Sequence, residues 1–83
     1  MKRSEYIAWI KSQIAENRLS IKDIEGEIGV VRYYISHAKE IRDSNFKRVS
    51  KAELRILRRR LKRERANLKD MEVLLFVAEN KFI

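Results

Sequence analysis

Eighty-three residues with no proline, no cysteine and only two glycines accommodate one small domain and at most an appended helix, which excludes a multi-domain enzyme. A charged fraction of 39% beside a hydrophobic fraction of 45% describes a chain that folds rather than a disordered one, and without cysteine it has neither a disulfide framework nor a thiolate site. The net charge of +8 points toward a polyanionic partner.

The predicted elements are all helical. Ser4 is a weak cap before Ile7, Ile10 and Ile14, whose spacing of three and four predicts an amphipathic helix over 5–17. Ser20 is followed three residues later by Asp23 and flanked by the apolar pair Leu19 and Ile24, the pattern of a capping box with a hydrophobic staple. A short helix over 21–28 is expected there, ended by Gly29. Ile35, Ala38 and Ile41 predict a third helix over 32–42, and 43–47 reads as a loop. Ser50 with Glu53, and Val49 with Leu54, repeat the capping arrangement. Beyond it the helical pattern is unbroken over 51–80, a rod of roughly 45 Å, or two helices if Asn67 and Asp70 cap a separate one after a bend near Ala66. The expected fold is therefore all-α: a head of three helices over 1–46, then a basic helical segment over 47–83 that supports dimerisation.

The charge is concentrated. Between Lys47 and Arg65 stand ten basic residues and two acidic ones, so this segment alone carries +8 and the rest of the chain nets zero. Such density attracts phosphate backbones through counterion release, and Lys47, Arg48, Arg55, Arg58, Arg59, Arg60, Lys62 and Arg63 are the expected backbone contacts, with Lys22 at the start of the second helix. Double-stranded DNA is the expected partner; a structured RNA gripped by the arginine-rich helix and an acidic protein surface are the alternatives.

Two short helices joined through a glycine are the parts of a helix-turn-helix. The stretch Leu19 to Ala38 resembles the phage-repressor (Cro-like) class of helix-turn-helix DNA-binding proteins, with apolar Ile24, Ile28, Val30 and Ile35 and the turn residue Gly29 in the class's positions. Glu25, where that class holds a small residue, and Val31, where it holds a capping Ser or Thr, depart from the pattern. The resemblance implies that Arg32, Tyr33, Ser36 and His37, at the start of a recognition helix, reach base edges. It also implies a small transcription regulator of the kind encoded by phages and mobile elements, a repressor or an activator at an operator. The segment from Arg18 to Asp43 nonetheless holds five basic and five acidic residues, so the head is neutral and nonspecific attraction falls to 47–65.

From Leu54 onward a heptad places Leu54, Leu61, Leu68, Leu75 and Phe82 at position a and Leu57, Glu64, Met71 and Ala78 at position d. Glu64 alone breaks the apolar seam. A stripe this long must be covered, in its first turns by the head and further along by a second copy, with Arg58 opposite Glu79 and Arg65 opposite Glu72 of an antiparallel partner. The expected assembly is a coiled-coil homodimer.

Nothing in the chain supports catalysis. The sole histidine, His37, has no cysteine or acidic cluster beside it, no phosphate-binding glycine loop is present, and neither a metal, a cofactor nor a small-molecule substrate is expected. The longest nearly apolar run, 71–78, is far short of the roughly 20 residues a bilayer span requires, and the N-terminus lacks a signal-peptide pattern, so a cytoplasmic protein without a membrane partner is expected. From a different class, the rival function is a helical interaction protein, an inhibitor or adaptor of the replication, transcription or packaging machinery.

Overall fold

A computed structural model describes residues 2–37, 40 and 44–80. Among them the chain forms two long helices, α1 (Arg3–Ser36) and α2 (Ser44–Asn80), and no strand. The helices run antiparallel as one hairpin measuring 63 × 17 × 14 Å. Among the described residues no helix is long and apolar enough to cross a membrane.

The pairing follows from two matched apolar stripes. On α1, Ile7, Ile10, Ile14, Ile21, Ile24, Ile28, Val31 and Ile35 alternate at spacings of three and four, with Asn17 in the one gap. This is an unbroken heptad pattern, and it lies against the equally regular stripe of α2. Two clusters result. Ile24, Ile28, Val31 and Leu57 are buried near the connecting end, with Ile35, Leu54 and Leu61 packed on them. Ile10, Ile14 and Ala78 are buried near the open end, with Tyr6, Ile7, Leu68, Met71 and Leu75 around them. Between the clusters Asn17 Nδ2 donates to Glu64 Oε2 at 2.8 Å. The two polar residues that interrupt the stripes satisfy one another.

The C-terminal ends of both helices are closed by hydrogen bonds to their last-turn carbonyls. Arg3 donates from Nε to the Ala78 carbonyl at 3.0 Å and from Nη2 to the Glu79 carbonyl at 2.8 Å, so a cation satisfies last-turn acceptors of α2 and complements its dipole. At the other end of α1, Ser36 Oγ donates to the Tyr33 carbonyl at 2.7 Å and the His37 backbone N–H donates to the same oxygen at 3.2 Å.

Several expectations are corrected. The head of three helices is not present: 5–17, 21–28 and the start of 32–42 belong to one continuous α1, which passes through Ser20 and Gly29 without a turn. Helix α2 begins at Ser44, so 44–47 is helix rather than loop, and Ser50 is a buried seam residue in its second turn rather than a cap. No bend interrupts α2 near Ala66. The physical reason is burial: only a straight α1 keeps Ile24, Ile28, Val31 and Ile35 on one stripe against Leu54, Leu57 and Leu61, and each large aliphatic side chain taken out of water is worth about 1.5–3 kcal/mol. Against that, the two glycines cost about 1 kcal/mol each. Both sit on the open face, with nothing within 4 Å of where a Cβ would stand.

The seam assigned to a second copy is likewise filled from within. Leu54, Leu57, Leu61, Leu68, Met71, Leu75 and Ala78 face α1 of the same chain, because α1 is long enough to cover the whole stripe. Phe82, Ala38 and Ile41 lie outside the described residues.

Candidate nucleic-acid interface

In an antiparallel helix pair the e positions of both helices line one side of the seam and the g positions line the other. Taking Ile7 and Leu54 as a positions, one side of the hairpin carries Lys11, Arg18, Glu25 and Arg32 from α1 and Lys51, Arg58, Arg65, Glu72 and Glu79 from α2. Two of the three carboxylates on this side are drawn into cross-helix pairs, Arg18 with Glu72 at 3.6 Å and Arg65 with Glu25 at 3.2 Å.

Near the connecting end this side deepens into a groove lined by Glu25, Ile28, Arg32, Arg58, Leu61, Lys62 and Arg65. Ile28 and Leu61 supply an apolar floor and four cations stand on the walls. Arg65 holds the one acid, Glu25, and among the described residues no carboxylate pairs with Arg32, Arg58 or Lys62. All three are exposed. On the same side, one position further out, Lys22, Arg48, Arg55 and Lys69 continue the charge. From Arg48 to Lys69 the stripe runs about 32 Å at 1.5 Å per residue, close to one turn of a B-form duplex.

The residues singled out by sequence divide. Arg32 enters this groove, although it does so as an α1 partner of Arg58 and Lys62 and not as the head of a recognition helix. Tyr33, Ser36 and His37 gather instead around one carbonyl at the end of α1: His37 Nδ1 lies 2.8 Å from the Tyr33 oxygen and 3.0 Å from Ser36 Oγ, and the His37 ring sits 4.1 Å from that of Tyr33. Of the α2 cations, Arg48, Arg55, Arg58 and Lys62 share the grooved side, Arg59 points outward, and Arg63 leans to the far side with Arg60, which meets Glu27 at 4.0 Å. Lys47 lies exposed in the first turn of α2, and Arg48 also donates to Asn45 Oδ1 at 3.0 Å.

Sequence reasoning missed Arg65 and Lys51 as members of this surface, and set Arg32 on a recognition helix rather than beside Arg58 and Lys62. The signal was present in the seven-residue spacing of Lys51, Arg58 and Arg65. The two departures from the repressor-like pattern are explained as well: Glu25 is the groove's acid, bonded to Arg65, and Val31 is a buried core residue.

The opposite side of the hairpin is of different character. Its middle is a polar groove lined by Gln13, Glu16, Ser20, Asn67 and Asp70, and toward the connecting end it turns apolar, with Val30, Tyr34, Phe46 and Val49 between Glu27 and Glu53. Comparison with protein-family models, with curated proteins and with solved structures finds no match for the chain. Chemically, three unpaired charges over an apolar floor are suited to anionic oxygens, through charge-assisted hydrogen bonds and release of condensed counterions.

Proposed function

We propose that the protein binds double-stranded DNA through its grooved basic side, gripping the phosphate backbone rather than reading bases with a helix-turn-helix. The observation that carries this is the convergence of Arg32 from one helix with Arg58 and Lys62 from the other in a groove whose only acid is already bonded to Arg65. The stripe continuing through Arg48, Arg55 and Lys69 matches the repeat of a duplex, and a rigid two-helix rod presents it without ordering cost at the moment of binding. A small regulator that occupies DNA and blocks or assists polymerase is the role this chemistry suits, with affinity dominated by backbone contacts.

Fluorescence anisotropy with a labelled duplex over a range of salt tests it. Binding is expected to weaken linearly on a log scale as salt rises, and the Arg58→Ala, Lys62→Ala double variant is expected to lower that slope by about two. The Tyr33→Ala, His37→Ala variant is expected to leave it unchanged. Binding that ignores salt, or that survives loss of Arg32, Arg58 and Lys62 together, overturns the proposal.

A further inference from the structure

The side of the hairpin facing away from the basic groove carries apolar patches at both ends and a polar stretch between them. At the connecting end Val30, Tyr34 and Val49, each about half exposed, line an open groove with Phe46. Ile56, 56% exposed, follows Val49 at seven residues and continues that strip along α2. At the open end the helical repeat brings Tyr6, Trp9, Leu74 and Val77 to the same side, and the Tyr6 and Trp9 rings stack with centroids 6.2 Å apart. Trp9 and Leu74 are 44% and 40% exposed.

The placement is symmetric. Trp9 and Val30 lie about equally far, roughly 16 Å, on either side of the middle of α1. A two-fold axis through the hairpin's midpoint therefore sets the Tyr6, Trp9 and Leu74 patch of one chain on the Val30, Tyr34 and Val49 groove of another, twice over. This side carries five acids (Glu16, Asp23, Glu27, Glu53, Asp70) and two bases (Arg60, Arg63), fewer charges than the opposite side, which is dense in arginine and repels itself more strongly.

The single chain also has reason to associate. Its radius of gyration is 18.5 Å, against about 12 Å for a compact globule of this length. Only seven apolar side chains are buried among the described residues, a thin core for a domain standing alone. Two hairpins stacked on their less charged sides form a four-helix bundle and enlarge that core.

We propose that two copies of this chain pair antiparallel through the Trp9/Val30 side, each end patch filling the opposite groove and both cationic grooves facing outward. The pairing itself stands independently of DNA binding. Where the proposed function also holds, the dimer presents two backbone-gripping surfaces on opposite sides and bridges two duplex segments.

Sedimentation equilibrium of the full chain, without DNA, is the first measurement. Wild type is expected to sediment at twice the chain mass in the micromolar range, and the emission of Trp9, the sole tryptophan, is expected to shift to the blue as concentration rises. The Val30→Glu, Val49→Glu variant is expected to sediment as a monomer with unshifted Trp9 emission and unchanged helical circular dichroism, since neither residue is in the seam. The chain has no cysteine, so orientation is read directly by mixing Trp9→Cys and Val30→Cys chains under mild oxidation. A mixed disulfide that neither chain alone forms supports the antiparallel arrangement. A monomeric wild type overturns the proposal, and so does a dimer in which Val30→Cys chains cross-link among themselves. Neither result bears on the salt dependence of DNA binding, which fails or holds separately through Arg58 and Lys62.

Discussion

Asn17 and Glu64, joined by a hydrogen bond of 2.8 Å, are the one polar pair in two seams that are otherwise apolar from Ile7 to Ile35 and from Leu54 to Ala78. A single alignment of the two helices lets them meet. Sliding one helix by a heptad sets each of them against aliphatic side chains, where an amide or carboxylate without a partner costs about 1–3 kcal/mol. The pair thus selects the register in which Arg32 arrives opposite Arg58.

Replacing both residues, Asn17→Leu with Glu64→Leu, is expected to leave the hairpin as stable or to stabilise it by about 1 kcal/mol or more, because a paired polar layer is often no better than a packed apolar one. Asn17→Leu alone is expected to be less stable than the double variant, since Glu64 then loses its donor. Urea unfolding of the four proteins of this cycle gives the coupling energy; a value near zero removes the pair from the account of register.

Gly26→Ala and Gly29→Ala are each expected to raise stability by about 0.5–1 kcal/mol, because both glycines sit inside a continuous helix with open space where the new methyl group would go. Thermal unfolding checks this. A chain that turned at Gly29 in a left-handed conformation would show the opposite sign, so the experiment separates the hairpin from a helix-turn-helix.

Ile24→Ala is expected to cost about 2–5 kcal/mol, since Ile24 is 2% exposed within the cluster built on Leu57. Leu19→Ala is expected to change stability by no more than about 0.5 kcal/mol, because Leu19 is 64% exposed and forms no staple. Denaturant midpoints for the two variants decide it, and equal effects would contradict the packing described.

Glu25→Gln is expected to tighten binding to duplex DNA a few-fold and to steepen its salt dependence by up to one contact, as it removes the groove's acid and releases Arg65. The same anisotropy titration used for the basic variants measures it. Weaker binding would mean that Glu25 positions Arg65 for the contact and does not compete with it.

Much of this architecture can be read from the residues. The helical class, the apolar stripe of α2, the odd position of Glu64 and the concentration of charge between Lys47 and Arg65 all follow from spacing and composition. The division of the N-terminal half does not, and Val30 and Val31 show why. A helix-turn-helix buries the first, a hairpin the second; the structure leaves Val30 53% exposed and Val31 7%. Local cap signals at Ser20 and Gly29 agreed with the first choice. The isoleucine repeat from Ile7 to Ile35 favoured the second, and tertiary burial against α2 outweighs local propensity. The groove was only half visible for the same reason: Arg58 and Lys62 belong to a recognisable basic run, whereas Arg32 joins them through a pairing that a helix read by itself does not reveal.

The clasp of Arg3 on the Ala78 and Glu79 carbonyls fastens the two helix ends remote from the connection. A load pulling Arg3 and Asn80 apart therefore meets that clasp first and then peels the seam layer by layer, from Ala78 and Ile10 toward Val31, instead of shearing all layers together. The hairpin is a zipper whose slider sits at the open end, and the cationic groove near the connecting end is among the last parts to come undone.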